Sequence, residues 1–194
     1  MRKTFFCLLV SGIFIIRVHA QFGVNGGLNI SNVRGDVVQN SKSKPGLHLG
    51  VFYKIPLPAG IAIQVEAAYS GEGAKTVITG SQWKYNFDYL NLAALFRYDF
   101  EGGFNVATGF QYGILLSAKL KSTGNTVDYK NGVRNVNYSW AFAAGYDLPL
   151  GVGFYGRYNL GMSDIAKDSQ GGSMKASTFQ VGVRYNIHLS KEKK

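Results

Sequence analysis

The chain has 194 residues, 25 of them glycine and only four proline, and carries a formal net charge of +10. That length suits one domain, and the composition excludes a collagen-like or low-complexity chain. Its single cysteine, Cys7, lies in an N-terminal apolar run, so the rest of the chain has no disulfide framework, thiol catalysis or cysteine metal site.

Residues 1–20 read as a secretory signal. Arg2 and Lys3 form the basic start, residues 5–16 the apolar core, and Val18-His19-Ala20 a small-residue cleavage site. Residues 21–194 then form one domain with 18 basic and 11 acidic side chains. No apolar run there approaches the ~18 residues of a membrane helix. A membrane protein without such helices must close its sheet into a barrel, because lipid offers no partner to an unpaired backbone group.

Alternation with period 2 predicts eight strands. The first covers 22–31 (FGVNGGLNIS), where Gly26-Gly27 marks a bulge or a close approach. The second, 46–55, sets Leu47, Leu49, Val51 and Tyr53 against His48, Gly50, Phe52 and Lys54. The third, 61–70, sets Ile63, Val65 and Tyr69 against Gln64, Glu66 and Ser70. The fourth, 89–98, sets Leu90, Leu92, Phe96 and Tyr98 against Tyr89, Asn91, Leu95 and Arg97. The fifth, 104–118, sets Phe104, Val106, Phe110 and Leu116 against Asn105, Gln111, Leu115 and Ser117. The sixth and seventh, 136–147 and 152–163, form one long hairpin with Tyr138, Trp140, Phe142, Tyr146, Phe154, Tyr158 and Leu160 on its bulky face. The eighth, 177–188, sets Phe179, Val181, Val183 and Tyr185 against Thr178, Gln180, Arg184 and His188. One face is large and apolar, the other small and polar, over roughly 10 residues per strand. That is the pattern of a lipid-facing barrel wall. It argues against a soluble ligand-binding barrel, which needs polar outward faces.

Connections alternate in length. PLPAG, DFEGG and DLPLG are short, whereas 32–45, 71–87, 119–135 and 164–176 are long and polar. Short turns on the periplasmic rim and long loops on the outer rim are the layout of an outer-membrane barrel. Tyr53, Tyr98, Tyr146 and Tyr185 recur at the short-turn end and are the expected periplasmic aromatic belt. Trp140, Tyr138, Tyr69 and Phe179 are the expected outer belt.

Several strands together resemble a known family. FGVNGGLNISN, QVEAAYSGEG, DYLNLAALFRY, GFQYGILLSAK and GRYNLGMSDI are similar to the outer-membrane beta-barrel domain of Bacteroidetes, the PorT-like or porin-family group. The chain departs from that pattern at Ala93, where the family often has proline, and in lacking a terminal aromatic. The resemblance implies an eight-stranded barrel in the outer membrane of a Gram-negative envelope. The family's namesake takes part in gliding-associated protein secretion.

Glu66, Arg97, Arg157 and Arg184 all fall on inward positions. An eight-stranded barrel is nearly filled by side chains, and a buried ion needs a partner. Glu66 is therefore expected to meet at least one of these arginines, with Gln64, Asn91, Gln111 and Tyr155 completing the network. Two readings follow: a polar plug, or a narrow anion-preferring path that uses the excess of arginine over glutamate. Ala141, Ala143, Gly145, Gly153 and Gly161 would supply the small-residue route of a conduit.

The four long loops hold 11 basic and five acidic residues, Glu72 among the acids. They suit either contact with outer-membrane lipid, including lipopolysaccharide phosphates, or an ordinary solvated rim. The basic residues are scattered and the compartment is wrong for nucleic acid. Two histidines follow the signal: His48 lacks a triad, and His188-Leu189-Ser190 sits at the periplasmic end, away from outer-leaflet substrates. No enzyme, metal or cofactor is expected. The expectation is an all-β, eight-stranded antiparallel up-and-down transmembrane β-barrel, monomeric and non-enzymatic. Its role is structural or one of surface interaction, with a narrow channel or conduit as the alternative.

Overall fold

The structure, a computed structural model, describes residues 21–35, 41–78, 81–122, 125–167 and 174–187. The signal segment, His188 and Ser190 lie outside the described residues. Among the described residues nine strands run in chain order: β1 (Gln21–Gly35), β2 (Lys42–Pro56), β3 (Ile61–Ile78), β4 (Ser81–Asp99), β5 (Phe104–Ser122), β6 (Asn125–Asp128), β7 (Val136–Asp147), β8 (Val152–Gly161) and β9 (Met174–Ile187). Eight form the wall in the order β4-β3-β2-β1-β9-β8-β7-β5, every pair antiparallel, and β4 pairs with β5 to close the ring. β6 is a short flap on the far end of β5. The fold is a closed eight-stranded up-and-down barrel.

The bulky face points outward. Leu49, Tyr53, Leu92, Phe96, Phe110, Phe142, Phe154, Val181 and Tyr185 are all exposed, whereas Gln64, Glu66, Asn91, Arg97, Gln111, Arg157 and Arg184 are buried. The short turns at 57–60, 100–103 and 148–151 gather at one rim, the periplasmic one by the general layout of such barrels. Gly60, Gly102, Gly103 and Gly151 take φ of 76, 86, 96 and 85° in these turns, a region that disfavours a Cβ. Gly26-Gly27 sits in unbroken register with β2 and β9. There is no bulge there. Gly27 packs so close to the Val181 carbonyl that a Cβ would collide with it.

Three expectations are corrected. First, β3 and β4 do not stop at 70 and 89 but pair continuously to Ile78 and Ser81. The supposed 71–87 loop is mostly strand, and β1, β2, β5 and β9 also run beyond their expected ends. Second, a β-bulge opposite Asp88 and Tyr89 leaves Leu116 unpaired and reverses the facing of β5 beyond it. Ala118, not Ser117, therefore packs inside, with 1% of its surface exposed. Third, β8 ends at Gly161. The chain then turns so that Ile165 enters the barrel mouth, where it is fully buried.

Candidate functional site

The interior has three tiers. At the periplasmic end, Arg97 donates from Nε to Asp99 at 2.6 Å and from Nη2 to Asp147. Arg184 donates from Nε to the other Asp147 oxygen at 2.7 Å, and from Nη2 to Asn105 at 2.8 Å. Lys54 reaches Asp99 at 3.4 Å. Antiparallel pairing brings these residues of β2, β4, β5, β7 and β9 to one level.

The middle tier is a bidentate ion pair. Arg157 donates from Nη1 and Nη2 to the two oxygens of Glu66 at 2.7 and 2.6 Å, the fork geometry that gives strong, directional pairing. Gln64 links the tiers: its amide donates to Glu66 at 2.5 Å, and its carbonyl accepts from Arg97 at 3.2 Å. His48 Nδ1 lies 2.7 Å from the Asn29 carbonyl oxygen, which requires the Nδ1–H tautomer, so Nε2 accepts from the Tyr155 hydroxyl. A void of about 10 Å³ between Asn25, His48, Glu66, Tyr155 and Arg157 has room for one water at most.

Above it lies Glu72, placed in a solvated loop by the sequence pattern but 4% exposed in the structure. Its carboxylate accepts from Ser70 at 2.9 Å, Thr178 at 3.1 Å and Asn91 at 3.2 Å. Asn91 therefore serves Glu72 rather than Glu66, and Tyr155 serves His48. Gln111 lines the void and makes no side-chain hydrogen bond among the described residues.

The outer mouth is closed by an apolar cap. Val33, Ala74, Phe87, Tyr89, Leu115, Ala118, Val133, Ile165, Met174 and Ala176 form one buried cluster. Val133 and Ile165 come from the connections before β7 and after β8. These two segments cross above the lumen: Val133 pairs with Ala166, the Arg134 amide donates to the Ile165 carbonyl at 2.9 Å, and the Ile165 amide donates to the Met174 carbonyl at 2.8 Å. Asp164 closes the second connection by accepting from the amides of Ala166 and Met174, each at 3.0 Å. A lone Val in NGVRN and a lone Ile in SDIAK were the available signals.

The arginines behind an anion-preferring path are all taken up in ion pairs. Lys54, Arg97, Arg157 and Arg184 are each paired to Asp99, Asp147 or Glu66, whereas Glu72 meets only the neutral donors of Ser70, Asn91 and Thr178. The small-residue route is filled as well. A Cβ on Gly145 or Gly153 would come within 2.9 or 3.0 Å of Arg184, and one on Gly161 would strike the Ala176 carbonyl.

Outside, Tyr53, Tyr98, Tyr146 and Tyr185 ring the periplasmic end of the apolar band, and each is exposed. Trp140 is exposed higher up, where its indole donates to Thr108 at 2.8 Å. Tyr69 and Asp88 share a hydrogen bond of 2.8 Å on the outer wall and mark the band's upper edge. Beyond that edge Lys44 is half-buried and donates to the Glu72 carbonyl at 3.1 Å. Burial pulls its ammonium below the ordinary lysine value. Lys121 and Lys75 push the same way, against Asp88 and Glu72.

An apolar outer wall with exposed tyrosines towards one end around a filled polar interior defines an integral membrane barrel of the outer-membrane type. The comparisons agree: residues 18–167 match the model of the outer membrane protein beta-barrel domain. The chain belongs to that family and is an integral outer-membrane protein. No curated protein matches it. Among solved structures, it is similar in fold to Neisserial surface protein A (NspA), with TM-score 0.55 and 13% identity, over 87% of this chain and 99% of that one. It is also similar to Ail, the attachment invasion locus protein of Yersinia pestis, solved with the heparin analogue sucrose octasulfate. There the TM-score is 0.50 with 15% identity, over 87% of this chain and 99% of that one.

Proposed function

We infer that this protein is a closed, non-conducting barrel whose role is structural or one of surface interaction. The observation that carries this reading is the double closure of the lumen. A fully ion-paired network fills the periplasmic half and the middle, and an apolar cap seals the outer mouth. Ions or small solutes would have to displace paired guanidinium groups and then cross the Val133/Ile165 cluster, and both steps oppose flow. The protein is not an enzyme in this reading, because His48 is committed to Asn29 and Tyr155 inside the closed interior. We assign residues 1–20 to an export signal and residues 21–194 to a monomeric barrel of the PorT-like Bacteroidetes branch, on the motifs quoted above. Outer-membrane lipid, including lipopolysaccharide at the basic outer segments, is the proposed contact.

Single-channel recording of the refolded protein in planar bilayers tests closure, with Glu66→Gln measured alongside. Neither protein is expected to conduct. Discrete openings in the wild type, altered by Glu66→Gln, would make the interior a gated path and hand the role to transport.

A further inference from the structure

Strand pairing sets lysines directly opposite one another on the outer wall. Lys42 of β2 faces Lys75 of β3, Lys75 faces Lys84 of β4, and Lys84 faces Lys121 of β5. Four adjacent strands thus carry one continuous row of ammonium groups. Two residues nearer the membrane, Gly73 faces Asn86 and Asn86 faces Lys119, while Lys44 packs its side chain over Gly73. Around the ring, Arg34 of β1 faces Lys175 of β9. Like charges directly opposite destabilise a ladder, and among the described residues none of the four lysines in the row is in a salt bridge.

We propose that this lysine row is a binding surface for phosphate groups carried on the saccharide of an outer-leaflet glycolipid. The inference rests on the surface-interaction reading above and names its ligand and site. Three observations select the occupant. The row lies on the side wall of the barrel, so it meets neighbouring lipid molecules rather than a ligand descending on the mouth. The four lysines of the row form no salt bridge among the described residues, and the neighbouring acids, Asp128 opposite Lys119 and Asp88 near Lys44, belong to the lower row, so the row keeps a cationic excess that calls for a polyanion. Its height excludes phospholipid: Lys75 is six residues beyond Tyr69, about 15 Å along the axis at the usual strand rise and tilt, whereas a phospholipid headgroup layer extends only ~5–8 Å beyond the hydrocarbon. Anions at that height are borne on sugars. Asn86, between Lys44 and Lys119, adds an amide to the lower row and suits a sugar hydroxyl.

The row makes a sign-reversing prediction. The full chain and its Lys75→Gln/Lys84→Gln/Lys121→Gln variant would be refolded into nanodiscs of four compositions. These are neutral phospholipid alone, or the same lipid with phosphorylated lipopolysaccharide, with lipopolysaccharide dephosphorylated on its core, or with phosphatidylglycerol. In neutral lipid the variant should melt higher than the wild type, because repulsion is relieved. With phosphorylated lipopolysaccharide the order should reverse, and titration should show at least about tenfold weaker binding by the variant. The reversal should vanish with dephosphorylated lipopolysaccharide and with phosphatidylglycerol, and should weaken with salt. The same order in all four lipids would overturn the proposal. Equal rescue by phosphatidylglycerol, or preferential binding of a soluble sulfated polysaccharide, would overturn the choice of glycolipid. Closure is read separately as conductance, so a failed row leaves the sealed interior standing.

Discussion

The barrel has two halves with opposite patterning, and they meet at Glu72 and Asp88. Below that level Tyr69, Leu92 and Phe96 point out while Gln64, Glu66 and Arg97 point in. Above it Lys75, Lys84 and Lys121 point out while Ala74, Phe87 and Ala118 point in. The same strands are membrane-like in one half and resemble a water-soluble barrel in the other. The surrounding solvent explains the inversion. Lipid rewards apolar outward side chains and forces the polar ones to pair inside, whereas water rewards the reverse. The sheet itself is continuous, because backbone pairing is indifferent to which face is wet.

Removing one member of the buried ion pair is the strongest way to break this arrangement in the lower half. Glu66→Gln leaves the Arg157 guanidinium buried with one neutral acceptor. The expected cost is ~3–5 kcal/mol in unfolding free energy, measured by urea titration in bilayers. Combining it with Arg157→Met should recover much of that loss. A double variant as unstable as the sum of the singles would mean that the pair is not a unit.

An exposed position on the lipid wall ranks next. Val183 is 46% exposed at mid-wall, between Val181 and Tyr185. Val183→Arg should destabilise the inserted barrel by ~2–4 kcal/mol. Lys84→Arg, on the outward face of the upper half, should change stability by less than ~0.5 kcal/mol in the same bilayer. Equal effects at the two positions would erase the boundary between the halves.

The membrane half was legible in the sequence because one rule, bulky-out and polar-in with period 2, holds from 22 to 31 and again in the seven other strands. The inward positions of Glu66, Arg97, Arg157 and Arg184 follow from it directly. The upper half was misread for a physical reason. Once the wall leaves the lipid, outward residues become Lys, Asn and Gly, and GEGAKTV or KYNFD looks like loop to an eye tuned to an apolar outer face. The inverted alternation was present in Glu72-Ala74-Thr76 and Tyr85-Phe87-Tyr89. Gln64 was legible as a member of the Glu66 network, but pairing partners were not, so neither its tie to Arg97 in particular nor the lysine row could be read. Those depend on register across strands, which a bulge at Leu116 shifts by one residue.

A smaller destabilisation than either Glu66→Gln or Val183→Arg is the most discriminating about the cap. Ile165 is fully buried against Val133, Met174 and Ala176, so Ile165→Val removes one methylene from a packed site and should cost ~0.5–1.5 kcal/mol. Where that cost appears matters more than its size. The cap is held together by a few backbone bonds, such as that from the Arg134 amide to the Ile165 carbonyl, and to the wall by the bond from the Ile165 amide to the Met174 carbonyl, whereas the tiers below are tied through eight paired strands. Cooperative units of unequal stability open separately. Hydrogen exchange at the Arg134 and Ile165 amides should therefore accelerate in Ile165→Val, with the amides of Glu66 and Arg157 unchanged. Acceleration at all four would make cap and ion pair one cooperative unit. The two closures of the lumen would then act as a single seal, and loosening either would open both.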